Sequence, residues 1–306
     1  MQQNILPFID CEPIPTLYVI GNGFDVAHGI QSTYDDFYEF EVQKGNKEFV
    51  KLMEIFFSNE VDFWCDVETA LGQYDEDAII DFCNPETEFN MDHPTRSEAA
   101  YVDSPDDIFH PLLDKLRNEF GKWVESIDIK YAEKIIALSK NAKYLTFNYT
   151  DTLETIYAIP ERQVFHIHGK RGSEDEYIIG HSNFRNPDAV YDNNDILFMQ
   201  QTREKVINWM NEMCKNSSTI ISHFNDYFKG LSGIKQVIVL GHSLNDVDLP
   251  YFERIIAETG KDIPWMFSFY GNRDIENINK FIRQTGLTNT KLIFFDDFRI
   301  DKKVKN

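Results

Sequence analysis

The sequence predicts an α/β fold: a mostly parallel sheet with helices on both faces and helical insertions. Two observations carry this. Short, continuously apolar runs such as Leu17–Ile20, Tyr144–Phe147 and Val237–Leu240 alternate with segments of helical periodicity, and strands without polar alternation belong to sheets covered on both sides. Each run also ends in small or polar residues: Gly21-Asn22-Gly23 after the first, Asn148 after the second, Gly241-His242-Ser243 after the late one. In such sheets ligands collect where the chain leaves the carboxyl ends of the strands.

In chain order, Leu17–Ile20 reads as a buried strand running into a glycine-rich turn. Ser32 and Thr33 followed by Asp36 form a helix start, and the Phe/Tyr-rich stretch beyond it continues to about residue 58. Trp64, Val67 and Leu71 fall at helical spacing, so 61–73 predicts another helix. Residues 74–107 hold many acids and prolines and little periodicity, which predicts an irregular insertion. Ile108, Leu112, Leu113, Leu116, Phe120 and Trp123 return to a spacing of three and four, predicting helix over 108–140. Strands follow at Tyr144–Phe147, Val164–His168 and Glu176–Ile179, then helices at about 201–215 and 217–230. The remaining elements are a strand at Gln236–Leu240, a helix over 248–258, a strand at 265–270, a helix over 274–285 and a last strand at 291–295. The pattern is Rossmann-like. A single domain over 1–306 is expected, with insertions at about 31–140 and 182–232.

Composition narrows the function. With 30 Lys+Arg against 51 Asp+Glu the net charge is −21, a surface that repels phosphate backbones and so argues against general nucleic-acid binding. The 42% hydrophobic and 14% aromatic content supplies a core and excludes a disordered chain. No run of about 20 apolar residues is present to span a membrane, and Met1-Gln2-Gln3-Asn4 lacks the basic start of a secretory leader. Cys11, Cys65, Cys83 and Cys214 form no CxxC pair, which fits a reduced, cytoplasmic setting. The acids concentrate in 35–60, in 74–107 and near the C-terminus, away from the candidate turns.

Four motifs carry chemistry. Gly21-Asn22-Gly23-Phe24-Asp25-Val26-Ala27-His28-Gly29 follows a strand as a phosphate-approach turn would, although its spacing is not the GxGxxG fingerprint; a plain tight turn, with Asp25 capping it, is the competing explanation. Asn148 directly follows the second strand and can hold a sugar hydroxyl or a water without charge, whereas Asp151 suits a helix cap. His166 and His168 lie two apart in the expected strand and so point to the same face; the pair could hold zinc, and His168 could act as a general base near neutral pH. Gly241, His242 and Ser243 would let a ligand approach the backbone, and Asp246 and Asp248 read as cap acids of the next helix.

Together these segments resemble the bacteriophage abortive infection AbiH family. The resemblance runs from Leu17-Tyr18-Val19-Ile20-Gly21-Asn22-Gly23-Phe24-Asp25-Val26-Ala27-His28-Gly29 through Tyr34-Asp35-Asp36-Phe37, Trp64-Cys65-Asp66-Val67-Glu68, Phe147-Asn148-Tyr149-Thr150 and His166-Ile167-His168-Gly169 to Gly241-His242-Ser243. More distantly, the order of motifs resembles sirtuin-like NAD-consuming domains of defence systems. That likeness implies Asn148 and His168 as the catalytic pair, with Asp25 holding the ribose or the developing cation. It implies a nucleotide held by Gly21, Asn22, Gly23, Phe24, His28, Asp151, His166, Gly169, Gly241, His242 and Ser243. NAD is then a substrate rather than a retained cofactor, and no metal ligand is assigned. The four-cysteine zinc module of sirtuin deacetylases is missing, which speaks against deacetylation. A metal-dependent hydrolase built on His28, His166, His168, His181 and His242, and a non-catalytic nucleotide sensor, stand as alternatives. A homo-oligomer and an unidentified phage trigger complete the expectation.

Overall fold

The computed structural model describes residues 14–58, 62–83, 92–174, 176–187 and 196–300. Six strands form one sheet: β1 (Thr16–Ile20), β2 (Lys143–Thr146), β3 (Val164–His166), β4 (Gln236–Leu240), β5 (Trp265–Phe269) and β6 (Thr290–Phe294). Their spatial order is β3-β2-β1-β4-β5-β6 and every pairing is parallel. Strand order therefore reverses between β1 and β4, which is the switch point of a doubly wound sheet. The apolar runs are continuous because both sheet faces are covered. Leu17, Val19, Leu145, Val237, Val239, Trp265 and Phe267 point to one core. That core includes residues of α11 (Asn225–Lys229), α12 (Leu249–Thr259) and α13 (Asn272–Thr285). Tyr18, Ile20, Tyr144, Ile238 and Leu240 point to a second, with α1 (Asn22–Ala27) and α8 (Thr152–Thr155) over it.

A third core belongs to the long excursion between β1 and β2. Its helices are α2 (Tyr34–Gln43), α3 (Lys47–Phe57), α4 (Val67–Leu71), α5 (Glu76–Cys83), α6 (Pro94–Ser104) and α7 (His110–Ser126). α9 (Leu197–Glu212) packs on α5 and α6, and α10 (Ser217–His223) follows it. The expected helix start at Thr33 is a closed capping box: Asp36 N–H donates to Thr33 Oγ1 at 3.2 Å and Thr33 N–H to Asp36 Oδ2 at 2.8 Å. Phe37 then sits among Trp64, Phe120 and Trp123 at ring separations of 5.3–5.6 Å.

Three expectations are corrected. Residues 74–107 are largely helical among the described positions, because Ile79, Ile80 and Cys83 bury one side of α5 against the excursion's core; residues 84–91 lie outside the described residues. α6 passes through a wider π turn at Pro105–Phe109 into α7, a place where a residue without an N–H is tolerated. Helix over 108–140 ends at Ser126. No strand forms at Glu176–Ile179; His181 makes one isolated parallel bridge to Cys214 instead. None of the described helices is long and apolar enough to cross a membrane.

Candidate functional site

A cavity of about 400 Å³ opens at the carboxyl ends of β1, β2, β3 and β4, at the switch point. The turn after β1 and the loop after β4 form its floor by backbone-to-backbone contact. Gly21 N–H donates to Leu240 O at 3.0 Å and Gly23 N–H to Gly241 O at 2.8 Å. A Cβ on Gly21 would lie 2.5 Å from His242 Cα, and one on Gly241 would lie 2.2 Å from Phe24 N. Gly241 also needs its φ of +63°. These glycines thus serve the packing of one loop on the other, and Gly23 N–H is spent inside the protein rather than offered to a phosphate.

Of the expected residues, Gly21, Asn22, Gly23, Asp25, Asn148, His168, Gly241, His242 and Ser243 line this cavity. Phe24, His28, Asp151, His166 and Gly169 do not. Phe24 is buried in the core beneath α1. His28 is engaged by Phe24 O and the Tyr157 hydroxyl, each at 2.6 Å. Asp151 begins α8, but its carboxylate takes Thr155 Oγ1 and Arg171 Nε rather than a helix N–H. Gly169, at φ +93°, lets the chain pass Glu176 and Tyr177. His166 and His168 do not share a face, because β3 ends at His166 and the chain turns before His168. His166 holds Asn148 O at 3.1 Å and Glu154 Oε1 at 3.0 Å, so it anchors the loop that carries Asn148.

The cavity's reactive groups are buried and incompletely bonded. Thr150 Oγ1 donates to Asp25 Oδ2 at 2.5 Å, while Asp25 Oδ1, Asn148 Oδ1 and His168 Nε2 have no hydrogen-bond partner among the described residues. Burial, outweighing the Thr150 hydrogen bond, pushes the Asp25 carboxyl up to about 6. Burial, reinforced by the Lys215 ammonium, holds His168 well below the usual imidazole range and takes His242 to about 3. Phe147 fixes both rings edge-on, with centroids 5.2 Å from His168 and 4.4 Å from His242.

The fold also brings in residues that the sequence motifs did not assign. Asp66 and Glu68, from the start of α4, line the cavity, and so does Arg273 at the start of α13. Glu68 is pushed up to about 7 by burial, opposed by its ion pair with Lys215. Asp248 faces His168 Nε2 at 3.7 Å, His242 Nε2 at 3.5 Å and Lys215 Nζ at 3.8 Å, and its side chain makes no cap hydrogen bond to α12. Asp248 occupies the N-cap position of α12, but the cap reading of its side chain therefore fails. So does the expectation that acids stay clear of the site: among the described residues Asp25, Asp66, Glu68, Asp248 and Asp274 line it, against Arg273 as the sole Lys or Arg. The Asp66/Glu68 signal was present in the Trp64–Glu68 motif; Lys215 and Arg273 stand in no motif at all.

Of the five histidines placed at strand ends, His28, His166 and His181 are bonded elsewhere, His181 to Met210 O at 2.9 Å. Among the described residues no group of three or more His, Cys, Asp or Glu side chains converges as a metal site would.

Fold and site together define a doubly wound α/β protein with a deep, acidic cleft at its switch point and a large helical layer beside it. The chain belongs to the bacteriophage abortive infection AbiH family, whose model matches residues 17–269; this membership supports a role in abortive infection. No curated protein and no solved structure shows a significant match.

Proposed function

We propose that this protein hydrolyses the N-glycosidic bond of NAD or a related nucleotide, and thereby drains the pool of an infected cell. The observation that carries the reading is the meeting of Asn148, Asp25 and His168 in one cavity, with Asp25 Oδ1 and Asn148 Oδ1 left without a hydrogen-bond partner among the described residues. Cavities of roughly 300–1,000 Å³ suit nucleotide-sized ligands. The excess of acids suits a substrate whose leaving group is cationic, as a pyridinium is, and Arg273 at the same cavity supplies one positive charge for a phosphate.

In this reaction the C1′–N bond breaks and its electron pair goes to the pyridinium nitrogen, which leaves neutral. Positive charge builds on the ribose, as in glycoside hydrolysis, and Asp25 as the anion opposes it. Water adds to C1′, held by Asn148, and becomes strongly acidic as it bonds to the cationic carbon, so its proton passes to the neutral His168 even though that ring is a weak base. The net products are nicotinamide, ADP-ribose and one proton.

The test is incubation of purified protein with NAD, NADP, ATP and RNA, with products identified by chromatography. Nicotinamide release is expected, falling about 10²–10⁴-fold in His168→Ala and in Asn148→Ala. Ligand-induced thermal stabilisation without any product would favour a sensor instead. Undiminished NAD loss in the double variant would overturn the assignment of these residues.

A further inference from the structure

Asp248 is the point on which several buried groups converge, and hydrolysis of the N-glycosidic bond as described above gives it no task. It lies at the junction of a short 3₁₀ turn, Asp246–Asp248, and α12. Its two oxygens divide between two histidines: Oδ1 stands 3.7 Å from His168 Nε2 and Oδ2 stands 3.5 Å from His242 Nε2. Lys215 Nζ lies 3.8 Å from Oδ1 and also pairs with Glu68. His168 Nε2 and Asp248 Oδ1 are buried atoms with no hydrogen-bond partner among the described residues.

We infer that Asp248 is the positioning residue that holds His168 with its proton on Nε2 and its Nδ1 lone pair available to the substrate, an inference that rests on the glycohydrolase reading above. Leu244 N–H donates to His242 Nδ1 at 2.9 Å, so in the neutral ring the proton is on Nε2, facing Asp248 Oδ2. His168 presents the same nitrogen to the other oxygen of the same carboxylate. A carboxylate can only accept, so it favours the N–H form of the ring nitrogen opposite it.

Lys215 gives the arrangement its sign. A buried carboxylate next to two neutral rings would tend to take up a proton; the ammonium beside Oδ1 opposes that tendency. Burial first, and the same ammonium second, disfavour the charged imidazolium, so both rings rest neutral. Gaps of 3.5–3.7 Å exceed a hydrogen bond. Catalytic hydrogen bonds are often this long before substrate closes the site. When His168 accepts a proton at Nδ1, the imidazolium finds Asp248 already opposite its Nε2–H. No further partner has to move.

The experiment reads the tautomers directly. Uniformly ¹⁵N-labelled full-length protein at pH 7 is examined by long-range ¹H–¹⁵N correlation of the imidazoles, with His168→Gln assigning the signal. His168 is expected in the Nε2–H form. Asp248→Asn offers one acceptor to two Nε2–H donors; His242 keeps its tautomer through Leu244, so His168 shifts toward Nδ1–H. Asp248→Ala removes both acceptors, and its folding is checked by circular dichroism against Asp248→Asn. NAD cleavage by Asp248→Asn is expected to fall about 10²–10⁴-fold in kcat with KM little changed. A wild-type His168 in the Nδ1–H form, or a tautomer unmoved in both variants, overturns the inference even if NAD is cleaved. Wild-type protein that shows the expected tautomers and cleaves no NAD sinks the glycohydrolase reading and leaves Asp248's role standing.

Discussion

Asn in place of Asp25 is predicted to make the protein more stable and less active. Asp25 is fully buried, and its carboxyl titrates near 6 in the fold against 3.8 when free. Because the folded value is raised, the folded state favours the protonated form. The associated stability is complete below the free value and is lost as pH rises through about 6. At pH 7 the folded protein therefore carries an anion that costs about 3 kcal/mol relative to the neutral group. Asn is neutral at every pH and keeps an oxygen for the Thr150 hydroxyl, so Asp25→Asn removes that cost. With an unfolding entropy of roughly 2.1 cal/mol/K per residue, the gain corresponds to a rise in Tm of up to about 5 °C. Scanning calorimetry at pH 7.5 and pH 4 checks it: the difference between variant and parent should shrink below about 1 kcal/mol at pH 4, where Asp25 is protonated. A variant no more stable than the parent at pH 7.5, or a gain that persists at pH 4, refutes the reasoning. Such a strained group at a site is the ordinary exchange of stability for function.

Two other perturbations probe the site's construction. Gly241→Ala would push a methyl to 2.2 Å from Phe24 N at a φ of +63° and should destabilise by at least about 2 kcal/mol, seen as a lower urea midpoint at unchanged m-value. Lys215→Met strands Glu68 and Asp248 without their cation and should cost about 3–5 kcal/mol. Adding Glu68→Gln should return part of that loss, and additive losses in the double-mutant cycle would contradict the coupling.

The elements nearest the site were the most legible. Leu17–Ile20 and Val237–Leu240 announced themselves as buried strands because no polar residue interrupts them, and Thr33 with Asp36 announced a capping box because its two hydrogen bonds are local. Residues 74–107 misled because acids and prolines mask an apolar side of α5 that only the excursion's core makes visible. His-x-His misled because its same-face argument requires the strand to continue, and β3 stops at His166.

Local sequence determined what depends on neighbours in the chain: the strands, the glycine turns, the placement of Asn148, His168 and His242 at strand ends, and the family resemblance. The tertiary structure alone decided which of those ends meet. Strand order reverses between β1 and β4, so Asp25, Asn148, His168 and His242 share one cavity while His28, His166 and His181 turn to other partners. It also decided the site's charge. Lys215 lies 147 residues from Glu68 in sequence and in no motif, yet in the fold it bridges Glu68 and Asp248. Chemical identity is written residue by residue, but a buried ion's partner is set by packing over long range, and no periodicity in the chain records it.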